Sequence, residues 1–396
     1  MDTRRGRIVV VGASIAGLTA VEELRRLGHE GQITLLGDEK AAPYARPPLS
    51  KAILRGEAAL SDADLPALAA GAAEFVPGAR VRSVSTELRR ICLDDGETLP
   101  YDGLVITTGA RARTLADLGG VHDSRIRERV LRTADDCARL RDEFASRPSV
   151  VIVGAGVMGM EIASAATRMS LDVTVVDQAP PMLAQCGPYL SQMFTAAAEG
   201  AGVKIVLDSG GARLVHRDGM TAVRLSDGRS IAGDLVVTAV GCLPNTEWLA
   251  GTGLADRGGL RVDSRCRVTP EIVAAGDVVA FPFGDRVRRT PLWSNAVEQA
   301  RVAASALLRG DDCDIHRPMP YFWTEQFGLA VKVCGQLPVI GEPEAVKGSM
   351  ADGKALLQWR QEGRPCAAAA VNYRIPISRL HQLAAQSAAV QEEGSQ

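Results

Sequence analysis

The stretch VVVGASIAG, from Val9 to Gly17, decides the fold, because it joins an apolar strand to a glycine-punctuated turn. The stretch VVIVGAGVMG, from Val150 to Gly159, repeats that layout later in the chain. Glycines at these places permit a sharp turn into a helix, a close approach to a pyrophosphate and tight packing of the helix on the strand. The helix N-terminus adds free N–H groups and a partial positive charge for the anion. Each stretch therefore predicts a dinucleotide site.

A second repeated pattern supports the first. The segment DGETLPYDGLVITTG, from Asp95 to Gly109, aligns without a gap to DGRSIAGDLVVTAVG, from Asp227 to Gly241. Each segment predicts an Asp-Gly hairpin that leads into a buried strand. We therefore expect an α/β chain with two Rossmann-like dinucleotide-binding domains of the glutathione-reductase type, followed by a small C-terminal α+β domain.

Composition limits the classes of function. The 396 residues are 46% hydrophobic, include 40 glycines and carry a net charge of -2. This length and composition predict two or three globular domains with ample core. The near-neutral charge gives no bulk attraction to nucleic acid or anionic lipid, and no segment is long enough to span a bilayer. We expect neither a nucleic-acid partner nor a membrane partner.

The eight cysteines show neither a CxxC redox pair nor a zinc-site spacing, so we expect reduced thiols, no metal and a cytoplasmic location. Arg4 and Arg5 before an apolar run mimic a twin-arginine signal. That run carries the first glycine turn, however, so its cleavage would destroy the site. The cysteines are Cys92, Cys137, Cys186, Cys242, Cys266, Cys313, Cys334 and Cys366.

Acidic residues at two predicted strand ends identify candidate ribose ligands. Asp38 follows a strand predicted over residues 32–36, and Asp177 follows one predicted over residues 172–176. An additional phosphate on the second ribose would meet the Asp177 carboxylate. Like charges about 4 Å apart repel by about 4 kcal/mol at an effective dielectric constant near 20. No Lys or Arg follows closely, so the second site is expected to prefer NADH to NADPH.

Three further segments carry candidate site residues. The loop PYARPPLSK, from Pro43 to Lys51, is stiffened by prolines, and its Ser50 is a candidate helix cap. Two cations on this loop suggest a nearby anion or polarised ring. A strand ends at Gly276-Asp277 and precedes a helix that holds Trp293, and the run YFWTEQ begins at Tyr321.

Together these motifs resemble the FAD-dependent, NADH-dependent ferredoxin reductases of bacterial oxygenase systems, the group that contains putidaredoxin reductase, rubredoxin reductase and the reductases of aromatic-ring dioxygenases. The resemblance covers nearly the whole chain. Its most discriminating carriers are the proline loop and the run from Pro320 to Trp323. It implies an FAD-binding domain at 1–113 and 243–318, an NADH-binding domain at 114–242 and a C-terminal α+β domain at 319–396.

The resemblance also implies roles for individual residues. Lys51 and Glu161 would be the catalytic pair, with Lys51 stabilising negative charge on the reduced flavin. NADH would give a hydride to tightly but non-covalently bound FAD, which would pass single electrons to a ferredoxin. FAD would be held by Gly12, Ser14, Ala16, Gly17, Asp38, Arg46, Lys51, Val81, Thr108, Gly109, Arg113, Gly276, Asp277, Trp293 and Trp323. Exchangeable NADH would be held by Gly154, Gly156, Val157, Met158, Gly159, Glu161, Asp177 and Gly241.

Several positions depart from the pattern of these reductases. Ser14 replaces the middle glycine of the first turn, Thr107 replaces the usual Ala, and Ala45 stands where Asp is frequent. Pro181 occupies a place where an Arg commonly faces the NADH phosphates or ribose, and Gln185 adds no positive charge. These two residues leave open a weaker or different mode of NADH binding.

Other functions share the two-nucleotide plan. A disulfide reductase needs a redox cysteine, and none stands in residues 43–54. A specialised FAD- and NADH-dependent biosynthetic oxidoreductase acting on a small molecule stays open, as does a non-enzymatic flavoprotein scaffold resembling apoptosis-inducing factor. The sequence leaves a monomer and a homodimer equally open.

The preference for NADH gives a first test. The purified protein should be yellow, and its flavin absorbance should bleach much faster with NADH than with NADPH, because of the Asp177 carboxylate. Anaerobic stopped-flow absorbance measures both rates. Equal rates would contradict the role of Asp177.

Overall fold

The computed structural model describes residues 5–119, 123–217, 219–283 and 286–385. Arg4 lies outside the described residues. The sequence predicts a last helix that extends to about Ala389 and a frayed tail over residues 392–396, and these positions also lie outside the described residues. The chain divides into two compact units. The first unit comprises Met1–Ala45, Ser61–Arg111 and Cys242–Pro318, and the second comprises Arg46–Leu60, Ala112–Gly241 and Met319–Gln396.

The first unit is built on a mainly parallel sheet whose central strands are apolar and buried. Such strands are typical of sheets that are covered on both faces. In spatial order the sheet contains Arg267–Thr269, Ile272–Ala274, Gly103–Ile106, Ile8–Val11, Ile33–Gly37 and Glu74–Pro77, of which Arg267–Thr269 alone among these six is antiparallel to its neighbour.

Two smaller sheets and two long helices complete the first unit. One sheet is an antiparallel meander of Val81–Ser85, Arg90–Leu93 and Thr98–Pro100. The other contains Ala255–Asp256, Gly259–Arg261, Val279–Phe283 and Arg286–Arg289. The helices are Ile15–Arg26 and Trp293–Arg309, and the 3-10 turns are Glu247–Leu249 and Gly310–Asp312.

The second unit repeats the parallel plan. Its parallel sheet has the order Lys204–Leu207, Asp172–Asp177, Ser149–Val153 and Leu235–Thr238. An antiparallel meander of Arg213–Arg217, Met220–Arg224 and Ser230–Ala232 accompanies it. The helices near these sheets are Ala134–Ser146, Val157–Arg168, Leu183–Cys186 and Pro188–Gly200, and the 3-10 turns are Pro47–Ser50 and Ala116–Leu118.

An antiparallel five-stranded sheet lies in the C-terminal part of the second unit. Its order is Tyr321–Gln326, Leu329–Gly335, Arg364–Val371, Lys354–Gln361 and Glu344–Ser349, and the helix Ile377–Ala384 packs its Leu380 into the adjoining core. The sequence predicts three of these strands, around residues 329–334, 355–359 and 367–372, but it predicts neither Tyr321–Gln326 nor Glu344–Ser349. The strand Glu344–Ser349 is largely exposed, so it lacks the apolar alternation that identifies a half-buried strand.

The repeated sequence pattern is confirmed in both units. Each Asp-Gly turn joins two antiparallel strands, and each following apolar run is a fully buried strand, Gly103–Ile106 or Leu235–Thr238. The sequence also predicts a helix over residues 133–144 that ends before Pro148, and the helix Ala134–Ser146 confirms it. Thr133 is its N-cap, and Thr133 and Asp136 form a reciprocal capping box.

Three short elements lie at or near the chain positions where one unit ends and the other begins. They are the 3-10 turn Leu60–Ala63 and the strands Ala110–Ala112 and Cys242–Pro244. Within the described ranges, no helix combines the length and the apolar character needed to cross a membrane. The division into an FAD-binding domain at 1–113 and 243–318, an NADH-binding domain at 114–242 and a C-terminal domain at 319–396 stays a prediction.

A buried histidine in the first unit gives a stability test. Burial lowers the pKa of His316 to about 4, and its Nε2 lies 3.0 Å from Asn295 Oδ1. Above about pH 6.5 the ring is neutral in both folded and unfolded chains. Between about pH 6.5 and pH 4 the unfolded chain binds a proton that the folded chain does not, so stability should fall as pH falls. Urea unfolding near pH 7 and pH 5 should show a smaller loss for His316→Gln; an equal loss would contradict this account.

Candidate functional site

The first glycine turn forms a cradle with no room for side chains. Gly12 has a φ of +114°, and a Cβ there would lie 2.2 Å from Thr107 O. A Cβ on Gly17 would lie 2.0 Å from Gly12 O. The helix Ile15–Arg26 begins at this turn, and its N-cap Ser14 makes no side-chain capping bond. The first-turn N–H groups can therefore donate to an anion, as the sequence predicted for a pyrophosphate.

Hydrogen bonds fix the backbone of other candidate cofactor ligands in the first unit. Asn245 O accepts from Thr108 Oγ1 at 2.8 Å, while Asn245 Nδ2 donates to Thr108 O at 2.9 Å and Asn245 N donates to Gly109 O at 3.0 Å. Gly276 N donates to the buried Gln299 Oε1 at 2.9 Å. Asn245 and Gln299 were missed from the sequence, because nothing local marks a side chain that satisfies a distant backbone group.

Asp277 follows Gly276 and is anchored through its own backbone. Arg289 donates from Nη1 to Asp277 O at 3.1 Å and from Nη2 to Cys242 O at 2.7 Å. Arg289 therefore ties the edge strand Arg286–Arg289 to the loop that carries Asp277. Trp293 begins the following helix and is 38% exposed, which leaves part of its ring surface available to a ligand.

The second glycine turn has the same geometry. Gly154 has a φ of +111°, and its Cβ would lie 2.4 Å from Ala239 O; a Cβ on Gly159 would lie 1.8 Å from Gly154 O. The carboxylate of Asp177 accepts backbone N–H bonds from Ala155 and from Ala179. The carboxylate thus lies beside the glycine turn, at the end of its strand, where the sequence placed a ribose ligand.

The segment after Asp177 supplies a neutral donor. Met182 has a φ of +61° and donates from its N–H to Ala155 O at 2.9 Å, which folds the segment back on the second turn. The Nε2 atom of Gln185 lies 3.3 Å from the position that a Cβ on Gly156 would occupy. Gln185 therefore places an uncharged amide at the turn. Residue 181, where related reductases commonly have an Arg, is a proline and supplies no positive charge.

The proline loop contributes a buried ion pair within the second unit. Lys51 Nζ donates to Glu161 Oε2 at 2.8 Å and to Pro47 O at 3.0 Å. Lys51 is 8% exposed and Glu161 is 3% exposed. Because charges in such a place lose most of their hydration, the pair persists only with good geometry and further hydrogen bonds.

Two hydroxyl groups provide those bonds. Ser50 Oγ donates to Glu161 Oε2, and Thr324 Oγ1 donates to Glu161 Oε1 at 2.7 Å. Gln326 Nε2 in turn donates to Thr324 Oγ1 at 3.0 Å. The prediction that Ser50 caps a helix is wrong, because its hydroxyl points to the buried carboxylate. The contacts of Ser50 and Thr324 were missed because their shared partner, Glu161, lies far away in sequence.

The remaining candidates occupy varied surroundings. Arg46 precedes the turn Pro47–Ser50 and donates from Nη1 to Arg132 O at 2.8 Å, while Arg113 N donates to Gly241 O at 3.0 Å. Trp323 stacks on Tyr321 with ring centroids 6.0 Å apart. Val81 begins a strand of the meander, and Asp38 is exposed just after the strand Ile33–Gly37.

The cysteine that contacts the proline loop is not activated. Cys137 Sγ donates to Leu49 O at 3.2 Å, and burial raises the pKa of this thiol to about 11. A thiol with such a pKa is not a ready nucleophile or electron carrier at neutral pH. The eight cysteines, all within the described ranges, are free thiols.

The chain is similar to known proteins over most of its length. The model of the pyridine nucleotide-disulphide oxidoreductase family matches residues 6–300. Rhodocoxin reductase of Rhodococcus erythropolis is 37% identical over 363 residues, 87% of this chain and 82% of that protein. The ferredoxin–NAD(+) reductase component of the biphenyl dioxygenase system of Paraburkholderia xenovorans is 34% identical, over 92% of this chain and 90% of that protein.

A solved structure shows the same similarity. The crystal structure of the covalent putidaredoxin reductase–putidaredoxin complex contains a chain that matches with a TM-score of 0.84 and 29% identity. The match covers 96% of this chain and 92% of that chain.

The buried ion pair gives a second test of stability. Glu161→Ala should lower the free energy of unfolding by roughly 3–5 kcal/mol, because it leaves the Lys51 ammonium buried without a counter-charge. The double variant Lys51→Met/Glu161→Gln should recover most of that loss, since it buries no charge and keeps an amide partner for the hydroxyls. Urea unfolding measures all three proteins.

The exposed pair of Lys204 and Asp172, 2.9 Å apart in the same unit, provides the control. Asp172→Ala should cost at most about 1 kcal/mol, because an exposed pair is well screened by water. A double variant no more stable than Glu161→Ala would show that the loss does not come from an unpaired buried charge.

Proposed function

We propose, from the premise that the chain belongs to the pyridine nucleotide-disulphide oxidoreductase family, that it is an FAD-dependent NADH:ferredoxin reductase. It passes electrons from NADH through FAD to a small iron-sulfur protein that feeds an oxygenase. Its relatives over most of the chain are ferredoxin reductase components of such systems. The chain is thus an oxidoreductase and a flavoprotein.

The observation that carries the proposal is the buried pair of Lys51, on the proline loop, and Glu161, in the helix Val157–Arg168. Many enzymes of the same two-nucleotide plan reduce disulfides, and they need a reactive cysteine pair. This loop instead presents a lysine held by a carboxylate, and the thiol beside it, that of Cys137, is kept protonated by burial. Such a site suits electron transfer through a flavin to an external carrier.

The first glycine turn fits FAD. The space that side chains on Gly12 and Gly17 would fill is closed by backbone atoms, so the turn presents main-chain N–H groups to a pyrophosphate. We propose that Ser14, Ala16 and Asp38 complete this part of the site in the first unit. The other FAD ligands that we propose are Val81, Thr108, Gly109, Gly276, Asp277, Trp293, Arg46, Lys51, Arg113 and Trp323.

FAD, when bound, supplies a group that accepts a hydride and returns electrons one at a time. The chain supplies the electrostatics. Both oxygens of Glu161 are occupied by donors, so the carboxylate holds one orientation and fixes the Lys51 ammonium. Two of the three N–H groups of Lys51 have partners among the described residues. We propose that this fixed positive charge stabilises negative charge on the reduced ring.

The second glycine turn is the proposed site for exchangeable NADH. Gly154, Gly156 and Gly159 form the turn, Val157 and Met158 open its helix, and Gly241 ends the neighbouring strand segment. Asp177 accepts the ribose hydroxyls and disfavours a phosphate there. We further propose a cytoplasmic location, because the eight cysteines are free thiols. The ferredoxin partner binds transiently.

Electron transfer to a ferredoxin tests the function. The purified holoenzyme, NADH and a [2Fe–2S] ferredoxin from an oxygenase system should together reduce cytochrome c, and omission of the ferredoxin should abolish most of the rate. Absorbance at the cytochrome band measures the turnover. A flavin that is bleached by NADH but reduces no ferredoxin would contradict the proposal and favour an enzyme acting on a small molecule.

The variant Lys51→Met connects the site to this activity. It should slow flavin reduction by NADH at least about tenfold while FAD stays bound, since one preorganised charge is removed. Lys204→Met makes the same substitution at an exposed position of the same unit and should leave the rate unchanged. An unaltered rate in Lys51→Met would remove Lys51 from the mechanism.

A further inference from the structure

The two copies of the repeat carry different residues at the place where each glycine turn meets its neighbouring strand, and only the first has a hydroxyl group there. Thr107 follows the strand Gly103–Ile106, and Ala239 takes the same place after the strand Leu235–Thr238. We propose that the Thr107 hydroxyl is a positioning group that holds the first turn closed and slows release of the dinucleotide bound there. This inference rests on the proposed function, in which that dinucleotide is FAD.

The backbone around the two turns is otherwise matched. In each copy the first glycine of the turn donates its N–H to the last residues of the strand that follows the helix. The residue at the position of Thr107 or Ala239 donates its N–H to the last residue of the strand that precedes the turn. These bonds join Gly12 to Leu36 at 2.8 Å and Thr107 to Val11 at 2.8 Å in the first copy, and Gly154 to Val176 at 2.8 Å and Ala239 to Val153 at 2.7 Å in the second.

The first copy adds a side-chain contact to this frame. Thr107 Oγ1 lies 3.0 Å from Val11 O and 2.9 Å from Gly12 O, so that its single O–H is shared between these two accepting carbonyl oxygens. Thr107 is 4% exposed, so water does not compete for the bond. In the second copy Ala239 offers only a methyl group, 3.4 Å from the position of a Cβ on Gly159.

The Gly12 oxygen that accepts this bond lies close to the start of the following helix. It would lie 2.0 Å from a Cβ on Gly17, at the first turn of the helix whose N–H groups face the proposed pyrophosphate. A turn that must open to release its ligand opens less often when an additional buried bond has to break. The hydroxyl therefore adds to the retention of FAD at the first turn, whereas Ala239 adds no such bond at the second.

Isosteric substitution tests this role in the intact holoenzyme. Thr107→Val removes the hydroxyl and keeps the shape, and should raise the FAD dissociation rate about fivefold. Thr107→Ala reproduces the second copy and should act in the same direction, while Thr107→Ser keeps the hydroxyl and should stay within about twofold of the wild type. Dissociation is followed by the rise in flavin fluorescence after dilution, well below the unfolding midpoint of each protein.

Thr238→Val is the matched control. Thr238 is buried one position before Ala239, and its hydroxyl has no hydrogen-bond partner in the described part of the chain. This variant should leave FAD dissociation unchanged. If Thr107→Val and Thr107→Ala lower the unfolding midpoint but release FAD at the wild-type rate, the hydroxyl is merely structural and the inference is overturned.

Two other results would also overturn it: faster release in Thr107→Ser equal to that in Thr107→Val, or equally fast release in Thr238→Val. A wild-type protein that binds no FAD would overturn the proposed function and this inference with it. A wild-type protein that retains FAD, with all variants alike, would overturn the inference alone.

Discussion

The structure depends on the close approach of two backbones at each glycine turn. Side chains on Gly12 or Gly154 would collide with the carbonyl at the end of the neighbouring strand, and the positive φ at both positions is one that L side chains rarely adopt. The same missing Cβ atoms let each helix begin against its sheet. The same glycines therefore determine both the packing of each helix on its sheet and the shape of the turn that faces an anion, so a side chain at these positions would disturb both.

Local patterns were enough to predict this construction. A Val-rich strand, a turn with glycines and a helix lie within a few residues of one another, so their sequence signals reinforce each other. Asp102 and Asp234, which align in the repeat, have the same structural role in the two copies. Asp102 accepts from Arg7 N at 2.7 Å, and Asp234 accepts from the Ser149 hydroxyl, so each secures the residue that begins or precedes the central strand of its sheet.

The rest of the candidate site could not be predicted, because its contacts join distant parts of the chain. Ser50 and Thr324 stand 111 and 163 positions from Glu161. A Ser after two prolines is typical of a cap, and a Thr inside a strand is typical of sheet packing, so each has a sufficient local explanation. Only the fold shows that both hydroxyls meet one carboxylate. The family resemblance indicated the ion pair, but not the donors that allow it to be buried.

The two glycine turns have the same backbone geometry but different side chains around them. This difference would allow the two turns to bind two nucleotides differently. The glycines give both turns the same backbone geometry, so they cannot by themselves distinguish a retained ligand from an exchanging one. That distinction has to come from groups around the turns. In the proposed function, these groups at the second turn are the Asp177 carboxylate, which would repel a second negative charge, and the neutral Gln185 amide, which would add no ionic attraction. A site built from hydrogen bonds without a cation suits a nucleotide that must leave in every cycle.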